Sequence, residues 1–214
     1  MKKSVLSVTG ALAILSLGAC SYNAPVNISP NLNVYSSYGD KIRGSYLLYV
    51  DESDLSTTVK PTGITCAAHT YPVELRGVFK SSALRTMQQL VDDVQLVDRP
   101  IPAASLAAMG KSGMIVIRAE NMSARLQFIP GFWSNTPEAT TEITASLTVD
   151  TPTGRALGTT ASGDARESAG SSNSCGDGAA VVGRATEKAL NELFGQIGER
   201  FSNSPRIRQT SVIQ

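Results

Sequence analysis

Residues 141–167, TEITASLTVDTPTGRALGTTASGDARE, decide the predicted fold of this chain. Apolar and polar residues alternate strictly in the first part of this stretch, as is typical of a strand with one buried face. The alternating apolar residues are Ile143, Ala145, Leu147 and Val149. The sequence Thr-Pro-Thr-Gly at 151–154 predicts a hairpin turn, and residues 155–167 then return as the partner strand. The stretch therefore predicts a long antiparallel hairpin with one apolar face.

Two other stretches have apolar residues at three- and four-residue spacing, which predicts amphipathic helices. The first helix is expected around 82–97 and is stopped by Pro100 and Pro102. Its apolar stripe consists of Phe79, Ala83, Met87, Leu90, Val91 and Val94. The second is expected at 180–201, with its N-terminus at Asp177. Its stripe consists of Val181, Ala185, Ala189, Leu193, Ile197 and Phe201.

Further strands are predicted at 42–50, 114–120 and 125–129, so the order of elements is β, α, several antiparallel β, α. Two helices with one apolar stripe each can cover the apolar face of one sheet. The predicted fold class is therefore α+β, a two-layer sandwich of a mainly antiparallel sheet with both long helices packed on one face. Residues 41–207 are expected to form a single domain, and residues 208–214 a loose tail.

The first twenty residues have the pattern of a bacterial lipoprotein signal. Lys2 and Lys3 form a positive start, and an apolar run of about a dozen residues follows, which is too short to span a bilayer. The run ends in Leu-Gly-Ala-Cys at 17–20, which resembles a lipobox. This resemblance implies cleavage after residue 19 and lipidation of Cys20. A plain signal peptide is the alternative.

The lipid on Cys20 predicts a membrane as the first partner of the chain. Two or three acyl chains make such an anchor effectively permanent. Where sorting depends on the second mature residue, Asp retains a lipoprotein at the inner membrane. Ser21 therefore favours the outer membrane, with the domain facing the periplasm or the cell surface. Residues 20–40 are rich in Asn, Ser and Pro and are predicted to be a flexible tether.

The charge balance excludes a nucleic-acid binding surface. The chain has 19 Lys and Arg, 18 Asp and Glu, and a formal net charge of +1. Two of the basic residues belong to the signal, and no stretch concentrates the others, so no basic patch is predicted.

Cys66 and Cys175 remain after Cys20 is assigned to lipid. An even pair in an oxidising compartment favours a disulfide, which would join the approaches to the two helices. The alternative is a reactive Cys175 acting with His69, the only histidine of the chain. The chain has neither an H-E-x-x-H nor a G-x-S-x-G motif, and Gly110-Lys111-Ser112 lacks the leading glycine of a P-loop. We therefore predict no enzyme, no metal and no cofactor.

The segment 128–133, Phe-Ile-Pro-Gly-Phe-Trp, contains the strongest candidate for a contact surface. Aromatic residues at a loop tip often bind a partner or contact a membrane interface. The predicted contact residues are Phe128, Phe132 and Trp133. The alternative is that Phe128 and Trp133 fold back and cap the sheet.

The layout resembles the small envelope lipoproteins of the YajG type. The resemblance lies in Cys20, the Pro- and Asn-containing segment after it, the first helix, the hairpin 141–167 and the terminal helix. It implies a non-catalytic accessory, structural or assembly protein that binds an envelope protein or glycan. The alternatives are a surface ligand-binding or adhesion protein that uses the aromatic loop, and a Cys–His enzyme.

Overall fold

The computed structural model describes residues 22–30, 39–171 and 174–210, together with their backbone pairing. The predicted signal 1–19, Cys20 and residues 31–38 of the predicted tether lie outside the described residues. The strands are β1 (Tyr22–Asn23), β2 (Ile42–Asp51), β3 (Ser56–Val59), β4 (Pro61–Thr62), β5 (His69–Glu74), β6 (Val91–Leu96), β7 (Gly113–Pro130), β8 (Asn135–Thr151) and β9 (Gly154–Ser168). The helices are α1 (Arg76–Leu90), α2 (Ala103–Leu106), α3 (Asp177–Ser202) and α4 (Pro205–Thr210).

The described strands form two sheets. The larger has the order β6-β2-β7-β8-β9, and β4 pairs with β7 outside this path. Strands β7, β8 and β9 are antiparallel, whereas β2 is parallel to both β6 and β7. The second sheet has the order β1-β5-β3. The predicted α+β class with a mainly antiparallel sheet is confirmed. The parallel pairing of β2 with β6 and β7, which makes the sheet mixed, was not predicted.

The predicted hairpin is confirmed, and its strands extend further than its clean alternation indicated. The pair Thr151 and Gly154 closes the turn, where Gly154 has a φ of 127°, a conformation that favours glycine. The four alternating apolar residues of β8 are all buried. They share one hydrophobic cluster with the buried stripes of α1 and α3, in which the Phe79 and Phe194 rings lie 5.1 Å apart.

The first helix ends earlier than predicted. It stops at Leu90, and residues 91–96 form β6, which pairs in parallel with β2 from Ile42 to Leu48. Val91 and Val94 fit both a helical stripe and a strand, so their spacing does not distinguish the two. Pairing with a distant strand decides the outcome, and it satisfies the backbone of these β-branched residues.

The set of predicted strands also needs correction. Residues 69–74 were not among the predicted strands, but they form β5, whose Tyr71 and Val73 are buried. The predicted strands 114–120 and 125–129 belong to one strand, β7, with an irregularity between Ala119 and Asn121. A bulge interrupts the alternation of side chains without ending the strand, and therefore looks like a break in the sequence pattern.

The segment expected to be a flexible tether lies against the domain over residues 22–30. Beyond the short strand β1, the Ala24 N–H donates to Thr70 O at 3.0 Å, and the Ser29 N–H donates to the Glu187 carboxylate at 2.7 Å. Ala24 is buried. Strand β5 has an edge with unpaired backbone groups, and an extended segment satisfies them whatever its composition.

The C-terminal residues are ordered further than predicted. Ile207 is buried, and helix α4 continues to residue 210. The Arg208 side chain donates to Ser202 O at 2.7 Å, so residues 208–210 of the expected loose tail are helical, and residues 211–214 lie outside the described residues.

We expect alkaline pH to destabilise the fold through two buried tyrosines. Burial raises the pKa of Tyr46 and of Tyr71 from 10.0 to about 12. Between these values the unfolded chain releases protons that the folded chain retains, so the free energy of unfolding falls as the pH rises from about 10 towards 12. Urea midpoints measured across this interval test the effect.

Tyr46→Phe is the matched variant for this measurement. The Tyr46 hydroxyl finds no hydrogen-bond partner among the described residues. Its removal is therefore expected to leave the midpoint at pH 7 nearly unchanged, while the loss at high pH becomes shallower. An identical slope in both proteins would exclude Tyr46 as a cause.

Candidate functional site

The turn between β7 and β8 forms an exposed tip at one end of the main sheet. Its backbone closes tightly, since the Gly131 N–H donates to Ser134 O at 2.7 Å. A Cβ on Gly131 would lie only 2.9 Å from that same oxygen. Glycine is therefore required for the close approach, and the two residues between, Phe132 and Trp133, occupy the apex.

The three predicted contact residues separate into two groups. Phe128 is buried, because it belongs to the inward-facing series of β7 together with Leu126. Phe132 and Trp133 are 88% and 85% exposed. The alternative prediction, that Phe128 and Trp133 both fold back onto the sheet, is therefore right for Phe128 and wrong for Trp133.

The two exposed rings contact each other. Their centroids lie 4.8 Å apart with an interplanar angle of 85°, an edge-to-face pair. This arrangement is favourable for aromatic rings, but most of both surfaces remains in water. We call Phe132 and Trp133 the aromatic tip. Exposed aromatic pairs of this kind are typical of contact surfaces for a partner or a membrane.

Ile64 was not predicted to belong to the site. It is 96% exposed, and it follows two residues after Thr62, which pairs with Gln127 of β7. Ile129, at 44% exposure, lies two residues beyond Gln127 on the way to the tip. An isolated isoleucine in a polar turn carries no signal in the sequence, and only the pairing of β4 with β7 brings it to this end.

The predicted disulfide between Cys66 and Cys175 is confirmed, with a Cα–Cα distance of 5.6 Å. It joins the turn before β5 to the turn before α3. The first cysteine does not lie directly before a helix as expected, because β5 intervenes. The Tyr71 hydroxyl donates to Cys175 O at 2.6 Å, and the His69 ring stacks on Tyr71 at 6.4 Å. His69 therefore lies near a bonded sulfur pair and not near a thiol.

The P-loop-like residues serve the fold. The Lys111 ammonium donates to the Ser45 hydroxyl at 2.8 Å, and the Ser45 N–H donates to the Ser112 hydroxyl at 3.2 Å. The Ser45 hydroxyl in turn donates to the Asp93 carboxylate at 2.5 Å. These contacts hold the starts of β2 and β7 together, which agrees with the rejection of the P-loop.

A cleft of about 320 Å³ lies beside β7 and β8 and is lined by polar and charged side chains. Arg166 donates to Glu138 at 2.7 Å, and this hydrogen bond lowers the pKa of the Glu138 carboxyl. A carboxylate with a lowered pKa is a poor proton acceptor near neutral pH.

Within the described ranges, no helix is both long and apolar enough to cross a bilayer.

Comparison with protein families and with curated proteins finds no match to this sequence. Solved structures with a similar arrangement include a Xanthomonas campestris protein of the DUF330 family, with 15% identity over 89% of this chain and 98% of that chain and a TM-score of 0.49. A minor lipoprotein from Acinetobacter baumannii has 11% identity over 78% and 91%, with a TM-score of 0.36. A neuraminyllactose-binding hemagglutinin homolog from Helicobacter pylori has 8% identity over 85% and 97%, with a TM-score of 0.47. With scores below 0.5, none of these likenesses assigns a function to this chain.

Proposed function

We propose that this chain is a lipid-anchored, non-catalytic accessory protein of the bacterial cell envelope, of the YajG-type layout. Its predicted location is the outer membrane, and its predicted partner is an envelope protein or glycan. The observation that carries the proposal is the docking of residues 22–30 along β5 and α3. With this segment held, only Ser21 separates the lipobox cysteine from the ordered domain, so the lipid would hold the domain directly at the membrane.

We further infer that α1 and α3 form one layer against the sheet, which makes the fold a two-layer sandwich. The support is the single hydrophobic cluster that unites both helices with the inward residues of β2, β7 and β8. A second, smaller cluster of Leu47, Leu106 and Met114 places the short helix α2 against the opposite face of β2 and β7.

The non-catalytic part of the proposal is supported by the bonded cysteines. A Cys–His enzyme needs a thiolate, and both Cys66 and Cys175 are consumed by the disulfide. Glu138, the carboxylate that lines the cleft beside β7 and β8, pairs with Arg166 and is not left as a base. A thiol count on the unreduced protein checks this, because two free thiols would restore the Cys–His alternative.

Cys20→Ser is expected to release the protein from membranes. The variant is made with residues 1–19 replaced by a plain secretory signal, because the lipobox peptidase cuts only before a lipidated cysteine. It keeps the domain but loses the only predicted acyl attachment, so it should move from the membrane pellet to the soluble fraction. Intact mass of the wild-type protein should exceed that of residues 20–214 by a diacylglyceryl group and an amide-linked acyl chain. An unlipidated wild-type protein would contradict the proposed function.

A second candidate is ligand binding or adhesion through the aromatic tip, which the exposure of Phe132 and Trp133 favours. Trp133→Ala should then reduce the capture of the partner by tenfold or more, since truncation of a central tryptophan typically costs about 2 kcal/mol or more. Met109→Ala is the matched control, because Met109 is also an exposed apolar residue but lies in the turn after α2. Equal capture by both variants would exclude the tip as the binding site.

A further inference from the structure

We propose that the aromatic tip, together with Ile64, inserts into the surface of the same bilayer that holds the Cys20 lipid. The proposal rests on the proposed lipidation and gives the tip a lipid partner. The domain would then have two attachments to the membrane, one covalent and one by insertion.

The first support is the distribution of exposed apolar side chains. Among the described residues, five large apolar side chains are exposed, and four of them lie at one end of the main sheet. Strand β4 runs parallel to β7, so the direction that leads from Thr62 to Ile64 also leads from Gln127 to Ile129 and the tip. The turn after β4 and the β7–β8 turn therefore project from the same end.

The second support is the path of the N-terminal segment. Tyr22 pairs with His69, and the His69 N–H donates to Cys66 O at 2.9 Å. The start of β1 thus lies beside the turn that contains Ile64. Cys20 is two residues before Tyr22, so at most about 7 Å of extended chain connects them. The lipid consequently enters the molecule at the end that carries the exposed apolar residues.

The third support is the chemistry of the hairpin end. Residues 128–137, FIPGFWSNTP, contain no charged side chain, so insertion would desolvate no ion. Tryptophan is enriched at membrane–water interfaces, where its ring contacts the acyl boundary and its N–H remains hydrated. The two rings are 88% and 85% exposed and contact each other, so they present one apolar surface to the lipid without rearrangement.

A second attachment has a mechanical consequence. A lipid anchor alone would leave the domain free to rotate about the residues next to Cys20. Insertion of the tip would hold the hairpin axis towards the membrane and direct the opposite end, with α2 and the β8–β9 turn, away from it. The face available to other envelope components would then be constant.

Trp133 allows a direct test because it is the only tryptophan of the chain. The full chain is purified from membranes and reconstituted into phosphatidylethanolamine–phosphatidylglycerol vesicles, with or without bromine on the acyl chains. Insertion predicts that the emission is shifted to shorter wavelength relative to the Cys20→Ser protein in buffer, and that brominated lipid quenches it. Ile64→Asp should reduce the quenching, whereas Met109→Asp should not.

The mass of the same sample separates the two possible failures. A lipidated protein whose tryptophan emits as in water and is not quenched would overturn the insertion and leave the proposed function standing. A protein without lipid would overturn both. A shift to shorter wavelength that appears only when a captured envelope protein is present, with no quenching by brominated lipid, would assign the tip to that protein and also overturn the insertion.

Discussion

Replacement of both Cys66 and Cys175 by serine is expected to lower the free energy of unfolding by about 4–5 kcal/mol. The disulfide joins residues 109 positions apart, so its loss restores a large conformational freedom to the unfolded chain. It also releases the turn before β5 from the start of α3, leaving the Tyr71 hydroxyl bond to Cys175 O as a remaining link. Urea unfolding followed by circular dichroism measures the change.

The double variant is preferable to either single one, because a single replacement leaves a free thiol that can form intermolecular disulfides. Wild-type protein with its disulfide reduced is the control and should unfold at nearly the same urea concentration as the double variant. A double variant as stable as the oxidised wild type would show that the disulfide adds no stability.

Gly163→Ala is expected to destabilise the protein by about 3 kcal/mol. Gly163 lies in β9 where α3 crosses most closely, and a Cβ there would overlap the Ala189 carbonyl oxygen and lie 2.6 Å from Leu193 N. These are backbone atoms of a helix, which cannot move aside as a side chain can. The whole of α3 would have to shift away from β8 and β9, with loss of packing across the core.

Two glycines provide controls for this measurement. Gly158 lies in the same strand, and its added Cβ would have its nearest neighbour, the Arg155 side chain, at 3.7 Å, an ordinary contact. Gly195 lies in α3 with open space, and its replacement by alanine should stabilise the helix by about 0.5–1 kcal/mol. Equal urea midpoints for the Gly158 and Gly163 variants would contradict the proposed close packing.

The hairpin and the last helix could be predicted because their signals are long and unambiguous. Ile143 to Val149 alternate through four apolar residues, and no helical arrangement gathers those side chains on one face. The apolar stripe of α3 persists over more than five turns, and its end is marked by Ser204-Pro205. In both cases neighbouring residues alone carry the information.

The boundary between α1 and β6 could not be predicted, because its outcome depends on a partner strand far away in sequence. Val91 and Val94 suit either structure, and pairing with β2 selects the strand. Likewise β5 is only six residues long, and its two buried residues become recognisable only when β3 pairs beside it.

In the candidate site, too, some features could be predicted from neighbouring residues and others depended on distant strands. Three aromatic residues in a short loop were recognisable as a contact surface, but their individual exposure was not. Phe128 points inward because of the register of β7 with β8, where it pairs with Pro137. Phe132 and Trp133 lie past the last strand pair, and Ile64 joins them from a different turn.

The sequence by itself determined the α+β class, the long hairpin, the terminal helix and the pair of cysteines available for a disulfide. Each of these depends on local periodicity, turn chemistry or residue count. Only the tertiary structure decided where α1 ends, that residues 22–30 lie along β5 and α3, and which aromatic side chains remain exposed. These outcomes depend on strand edges and buried faces supplied by distant residues, and the backbone hydrogen bonds and apolar burial they provide outweigh local preference.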